Sequence, residues 1–205
     1  MPIPHIITVS GPSLSGKTEL SKTLHNDFGF NAVVSVTTRP RREQEVDGVD
    51  YHFISEQEYQ KLTLVQKTNY NAYNYGVSED EVLSKSDKPI LWVIAPKSIA
   101  QVEAMCEERG YLLTKVFVNN PEDVLLGRLF KRFREDILAD VTTYVKRLED
   151  MISVEKNWIN EAAYDIVIPT FNEQNKQAVL SDLVSTILQK SLKHEQNVVK
   201  KPKLR

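Results

Sequence analysis

One cysteine, Cys106, in 205 residues excludes an intramolecular disulfide and leaves no cysteine cluster for zinc. Four scattered histidines do not supply one either. No apolar run approaches the length that spans a bilayer, so no membrane association is expected. The opening "MPIPHIITVS" lacks the basic segment and long apolar stretch of a secretory leader. A reducing, cytoplasmic setting is the expectation. Charge of one sign is lacking too: 26 Lys and Arg oppose 28 Asp and Glu, a formal net charge of −2. No whole-protein basic field draws nucleic acid, and no nucleic-acid partner is expected. Internal repeats and low-complexity segments are absent. What remains is 41% hydrophobic and 26% charged, which suits one soluble domain with lobes or inserts.

Strands and helices alternate along the chain. "HIITV" (5–9) reads as a strand, and Leu20, Leu24 and Phe28 recur on one helix face before a stop at Gly29. "NAVVSV" (31–36) reads as a second strand and "YHFI" as a third, followed by a capping box at Ser55 and Glu58. "KPILWVIAP" (88–96) and "YLLTKVFV" (111–118) read as buried strands, with a helix between them that ends at Gly110. Asn120 and Pro121 open another helix. Val145, Leu148, Ile152, Glu155 and Ile159 mark one face of a long amphipathic segment. "DIVI" (165–168) is a last strand before a closing helix, "QAVLSDLVSTILQKSL". This order predicts an α/β fold with a parallel five-stranded sheet flanked by helices. The basic segment 191–205 is expected to be a flexible tail, with an acidic partner or a targeting role as the alternatives.

"SGPSLSGKTEL" (10–20) carries the chemistry. Gly11, Gly16, Lys17 and Thr18 fit the phosphate-loop pattern, in the strand-loop-helix setting that the pattern needs. Backbone N–H groups and the helix N-terminus would hold phosphate. Lys17 would reach the β- and γ-phosphates of ATP, and Thr18 would offer a hydroxyl to Mg²⁺. Gly11, Pro12, Ser13, Leu14, Ser15, Gly16, Lys17, Thr18 and Glu19 are the candidate ATP-binding residues. Leu14 departs from a loop usually rich in glycine. If φ is positive there, a leucine costs about 1–2 kcal/mol, and the loop is expected to be distorted and slightly weaker.

"SVTTRPRREQEVDGVDYHF" (35–53) gathers arginines, hydroxyls and a tyrosine that would suit a phosphorylated acceptor. Taken alone, such a charge run reads more often as a solvated loop. Together with the phosphate loop, "YNYGVSEDEV" (73–82), "VNNPEDVLLGRLFKRF", "VKRLEDM" and "AAYDIVI", it resembles the guanylate kinase family in order and approximate spacing over roughly residues 5–170. The resemblance implies a P-loop kinase core (1–34 and 88–190), an acceptor-binding lobe (35–87) and a short lid (about 132–144). It implies that Ser35, Arg39, Arg42, Tyr51 and Tyr75 hold the acceptor phosphate. By the same likeness Arg128, Arg132 and Arg147 clamp the transferring phosphoryl group beside Lys17.

The base-reading half departs from the family. Gln66 stands where the resemblance places a glutamate, Val77 where it places a serine, and Val93 and Ala95 where it places aspartates. Losing two or three such acceptors, at about 1.5–3 kcal/mol each, removes roughly hundreds-fold or more in affinity for guanine. Three readings follow. The first is an ATP-dependent kinase of GMP with relaxed base selection. The second is a kinase of another nucleotide or a sugar phosphate. The third is a non-catalytic module that binds a protein partner, although the intact Gly16, Lys17 and Thr18 argue against it.

Overall fold

The computed structural model describes residues 3–43, 45–70, 72–132, 134 and 141–200. Strand β1 (His5–Ser10), read from the sequence as a short β-rich run, is buried along its whole length, its His5, Thr8 and Ser10 included. It lies at the centre of a parallel five-stranded sheet with β2 (Asn31–Ala32), β7 (Ile90–Val93), β8 (Leu112–Val118) and β9 (Ile166–Ile168), in the order β2-β7-β1-β8-β9. Both faces are covered. Ile7 and Val9 pack with Leu20, Leu24, Leu180 and Leu183 from α1 (Lys17–Phe28) and α7 (Lys176–Lys200). Ile6 points the other way, toward Ile99, Val102 and Met105 of α4 (Ile99–Arg109). The expected α/β sheet flanked by helices is therefore present.

A second sheet forms the lobe, with strands β4 (His52–Phe53), β3 (Val36–Thr37), β6 (Tyr73–Ser78) and β5 (Leu64–Tyr70) in that order. Two expectations are corrected by its path. Residues 31–36 do not form one strand, because β2 joins the main sheet and β3 joins the lobe. Residues 64–78 form an antiparallel hairpin that no sequence signal marked. Its turn carries Ala72 at φ 64° in place of a glycine. Two short helices complete the lobe: α2 (Glu56–Tyr59), which has the capping box expected at Ser55 and Glu58, and α3 (Glu79–Leu83). The lobe's neck is tied where β2 runs beside β7. There Asn31 Nδ2 donates to Lys85 O and Asp87 Oδ1, each at 2.8 Å, and Lys85 Nζ donates to Ala32 O at 2.7 Å.

Helix α7 continues through Lys200, ten residues into the segment expected to be a tail; residues 201–205 lie outside the described residues. It is anchored to the sheet by His5, whose Nδ1 lies 2.6 Å from Ser191 Oγ and Nε2 2.9 Å from Thr114 Oγ1. Burial pushes the His5 imidazole down from 6.5 to about 4; Lys190 and His194 push the same way, and Asp165 opposes them. The unfolded chain therefore binds a proton that the folded chain does not, between pH 6.5 and 4. The stability His5 contributes is full above pH 6.5 and is lost as pH falls toward 4, by about 3 kcal/mol. Urea unfolding at pH 7 and pH 4.5 should show this loss, and His5→Asn should flatten it.

Candidate active site

Loop 11–16 leaves the end of β1 between two positions that demand glycine. A Cβ on Gly11 (φ 148°) would meet Val118 O at 2.3 Å, and one on Gly16 (φ 99°) would meet Phe171 Cδ1 at 3.0 Å. Leu14, between them, also has a positive φ, 65°. Its side chain packs against Leu125, Leu129 and Met151, from α5 (Glu122–Arg132) and α6 (Val141–Ser153). The strain that the sequence made conditional is thus present, and apolar packing partly offsets it. Ser15 Oγ is buried in the loop without a hydrogen-bond partner. Helix α1 starts at Lys17, so its free N–H groups face the same concavity.

Lys17 Nζ donates to Gly11 O (2.8 Å) and Pro12 O (2.6 Å). Burial lowers its ammonium to about 8, against the pull of the Glu155 carboxylate. Thr18 is exposed, and Glu19 pairs with Lys176 at 2.8 Å. Lys17, Thr18, Glu19, Arg128 and the turn 172–174 line a cavity of about 710 Å³. Pro12 is buried within the loop, and Ser13 beside it is half-buried.

The loop is held from outside at three successive residues. Ser13 N–H and Oγ donate to Glu155 at 2.5 and 2.7 Å. Arg128 donates to Leu14 O at 2.9 Å and to Phe171 O at 2.6 Å. Asn120 Nδ2 donates to Ser15 O at 2.7 Å, and its Oδ1 accepts from Phe171 N–H. Sequence reading missed two of these: Asn120 was expected to cap a helix, and Glu155 was read as one face of an amphipathic segment. Neither carries a local signal, because the partners are 105 and 142 residues away. Arg132 ends α5 and Arg147 sits half-buried on α6. Of the expected lid (132–144), residues 133 and 135–140 lie outside the described residues.

In the lobe, the structure brings Arg39, Tyr51 and Tyr75 together. The Arg39 guanidinium lies 5.5 Å from the Tyr51 ring centre and 5.7 Å from that of Phe53, and Tyr51 meets Tyr75 edge-on at 5.8 Å. Arg39 Nη2 donates to both Glu45 oxygens, at 2.8 and 3.0 Å. Burial works against the Arg39 charge, but Glu45 and Tyr75 outweigh it and raise the guanidinium above its ordinary value. Burial also pushes the Tyr51 phenol up. Arg42 donates its backbone N–H to Glu45, while its largely exposed guanidinium stands 3.8 Å from that carboxylate. Ser35 is half-buried, and its carbonyl accepts from His52 N–H. Glu45 lay inside the arginine-rich segment and was not singled out; its spacing of three from Arg42 and six from Arg39 was the available signal.

Gln66 and Val77 were both expected beside the acceptor. They are register partners on β5 and β6, 3% and 1% exposed, and both face the interior. Gln66 Nε2 donates to Ser98 Oγ at 3.0 Å, and Val77 packs with Trp92 and Ile94. The Gln66 amide is directed at Ser98, where the lobe meets the core.

The family model described as guanylate kinase matches residues 4–187. A guanylate kinase of Sulfurimonas denitrificans is 32% identical over 184 residues, covering 85% of this chain and 84% of its own. One of Clostridioides difficile is 29% identical, covering 82% and 96%. Among solved structures, a guanylate kinase from Anaplasma phagocytophilum shares the fold with a TM-score of 0.59 at 24% identity, covering 92% of this chain and 86% of that one.

Proposed function

Because the chain belongs to the guanylate kinase family, and so to the nucleoside monophosphate kinases, we propose that it transfers the γ-phosphate of ATP to a nucleoside monophosphate with weak discrimination of the base. GMP is the default acceptor. The observation that carries this reading is the Arg39–Tyr51–Tyr75 cluster, whose guanidinium Nη2 already donates to both oxygens of an internal carboxylate, Glu45. A phosphate monoester presents the same pair of anionic oxygens to Arg39, with Arg42 and Ser35 beside it. On the donor side, the unpartnered Ser15 Oγ, the N-terminus of α1 and Lys17 form a cradle for the β- and γ-phosphates.

Thr18 fits the role of a Mg²⁺ ligand as one hydroxyl in the donor cavity. Among the described residues no group of three His, Cys, Asp or Glu could hold a metal, so phosphate oxygens and water would complete the shell. Bound there, the ion would neutralise charge on the phosphates. The protein's own part is to align two anions and shield their repulsion, with Lys17 and the arginines Arg128, Arg132 and Arg147 around the transferring group. No general base is required, because a phosphate acceptor is already ionised near neutral pH.

Weak base discrimination follows from the buried Gln66, the apolar Val77 and Ala95, since a site lacking polar partners for a base cannot reject bases that lack those groups. ADP release from ATP with Mg²⁺ should be followed against a panel of nucleoside monophosphates and sugar phosphates. Comparable kcat/KM for GMP and at least one other nucleoside monophosphate is expected. Turnover confined to GMP would sink the relaxed selection. Turnover confined to a sugar phosphate would move the acceptor class. No turnover and no ATP binding would leave a module that binds a protein partner. No described helix is long and apolar enough to cross a membrane, and we place the activity in the cytoplasm.

A further inference from the structure

We propose that Glu155 is a positioning residue of the donor site, holding the phosphate loop in the left-handed turn at Leu14. This rests on the reading that the loop takes ATP. A leucine at φ 65° disfavours that turn, and such a conformation persists only where its surroundings over-determine it. The surroundings here are specific. Glu155 fixes the residue before Leu14 through Ser13 N–H and Oγ, and Arg128 fixes the carbonyl of Leu14 itself. Leu14 is thereby bracketed on both sides by side chains from the α5–α6 region.

Glu155 is 2% exposed, at the start of a 3-10 turn (Glu155–Asn160) that follows α6. A carboxylate is costly to bury, and an apolar side chain would fill that space at lower cost. Both of its oxygens are directed at one loop residue. This is the geometry of a clamp. In a loop with glycine at position 14 the clamp has little left to hold, so the dependence on Glu155 follows from Leu14.

Binding of ATP to the full chain, measured by calorimetry together with the KM of each substrate, tests this. Glu155→Ala is expected to weaken ATP binding about 5- to 30-fold, the factor that corresponds to the penalty of the left-handed turn. Acceptor KM should stay within about twofold. Glu155→Gln keeps an acceptor for Ser13 N–H and a donor toward Oγ, so it should bind ATP within about twofold of wild type. In a Leu14→Gly background, Glu155→Ala should cost no more than about twofold. If Glu155→Ala does not fold, Ser13→Ala removes only the Oγ bond and should show a smaller loss with the same dependence on residue 14. An equal loss in both backgrounds, or a parallel loss of ATP and acceptor affinity, would overturn the clamp. Wild-type protein that binds no ATP would overturn the donor site itself, and the clamp with it. Wild-type binding that Glu155→Ala leaves unchanged would overturn the clamp alone.

Discussion

Replacing Lys17 by alanine is expected to lower kcat for phosphoryl transfer by about 10²–10³-fold, the scale seen when one preorganised charge donor is removed from a transition state. Negative charge moves toward the β–γ bridge as the phosphoryl group leaves, and the ammonium is the loop's only side-chain cation. The fold should survive, because Lys17 bonds only to carbonyls of its own loop, Gly11 O and Pro12 O. Initial rates at saturating ATP and acceptor, with a melting curve as control, decide the matter. A variant within a few-fold of wild type would refute the donor site.

Arg39→Ala is the second large effect, and it should fall on a different constant. Two charge-assisted hydrogen bonds to an acceptor phosphate, at about 1.5–3 kcal/mol each, convert to a rise in acceptor KM of at least about 10²-fold. The KM of ATP and kcat should change far less, since the acceptor phosphate is gripped equally in ground and transition states. Arg39→Lys should not restore the loss. An ammonium cannot reproduce the planar fork, nor its place over the Tyr51 and Phe53 rings. A fall in kcat with unchanged acceptor KM would mean that the fork does not hold the acceptor. Some destabilisation is expected as well, because Glu45 would lose its main partner.

The parts legible in sequence were those whose cause is local. β7 announced itself as a continuous apolar run, β1 and β8 as short β-rich stretches, and the phosphate loop as Gly11, Gly16, Lys17 and Thr18 at fixed spacing. The Arg39 cluster was implied by the resemblance of 35–53 and 73–82 to the guanylate kinase family, since the arginine-rich segment alone reads more often as a solvated loop. Illegible parts depend on distant partners or on missing turn chemistry. The hairpin β5–β6 has no glycine at its turn, and its buried Gln66 breaks the alternation of a strand. Glu155 and Asn120 find the loop only after folding. The extension of α7 was misread because Lys, Glu and Gln were taken as signs of a solvated tail, yet all three are good helix formers.

The neck of the lobe carries a practical consequence. Chain enters the lobe after Ala32 and returns at Ile90, and these ends lie side by side as parallel partners Asn31↔Ile90 and Ala32↔Leu91. Everything between them is an insertion whose two ends close on the main sheet, with the Asn31–Lys85 tie as its seam. With the acceptor held in the lobe as proposed, residues 33–89 would form a cassette exchangeable between relatives while the main sheet and its helices are left in place.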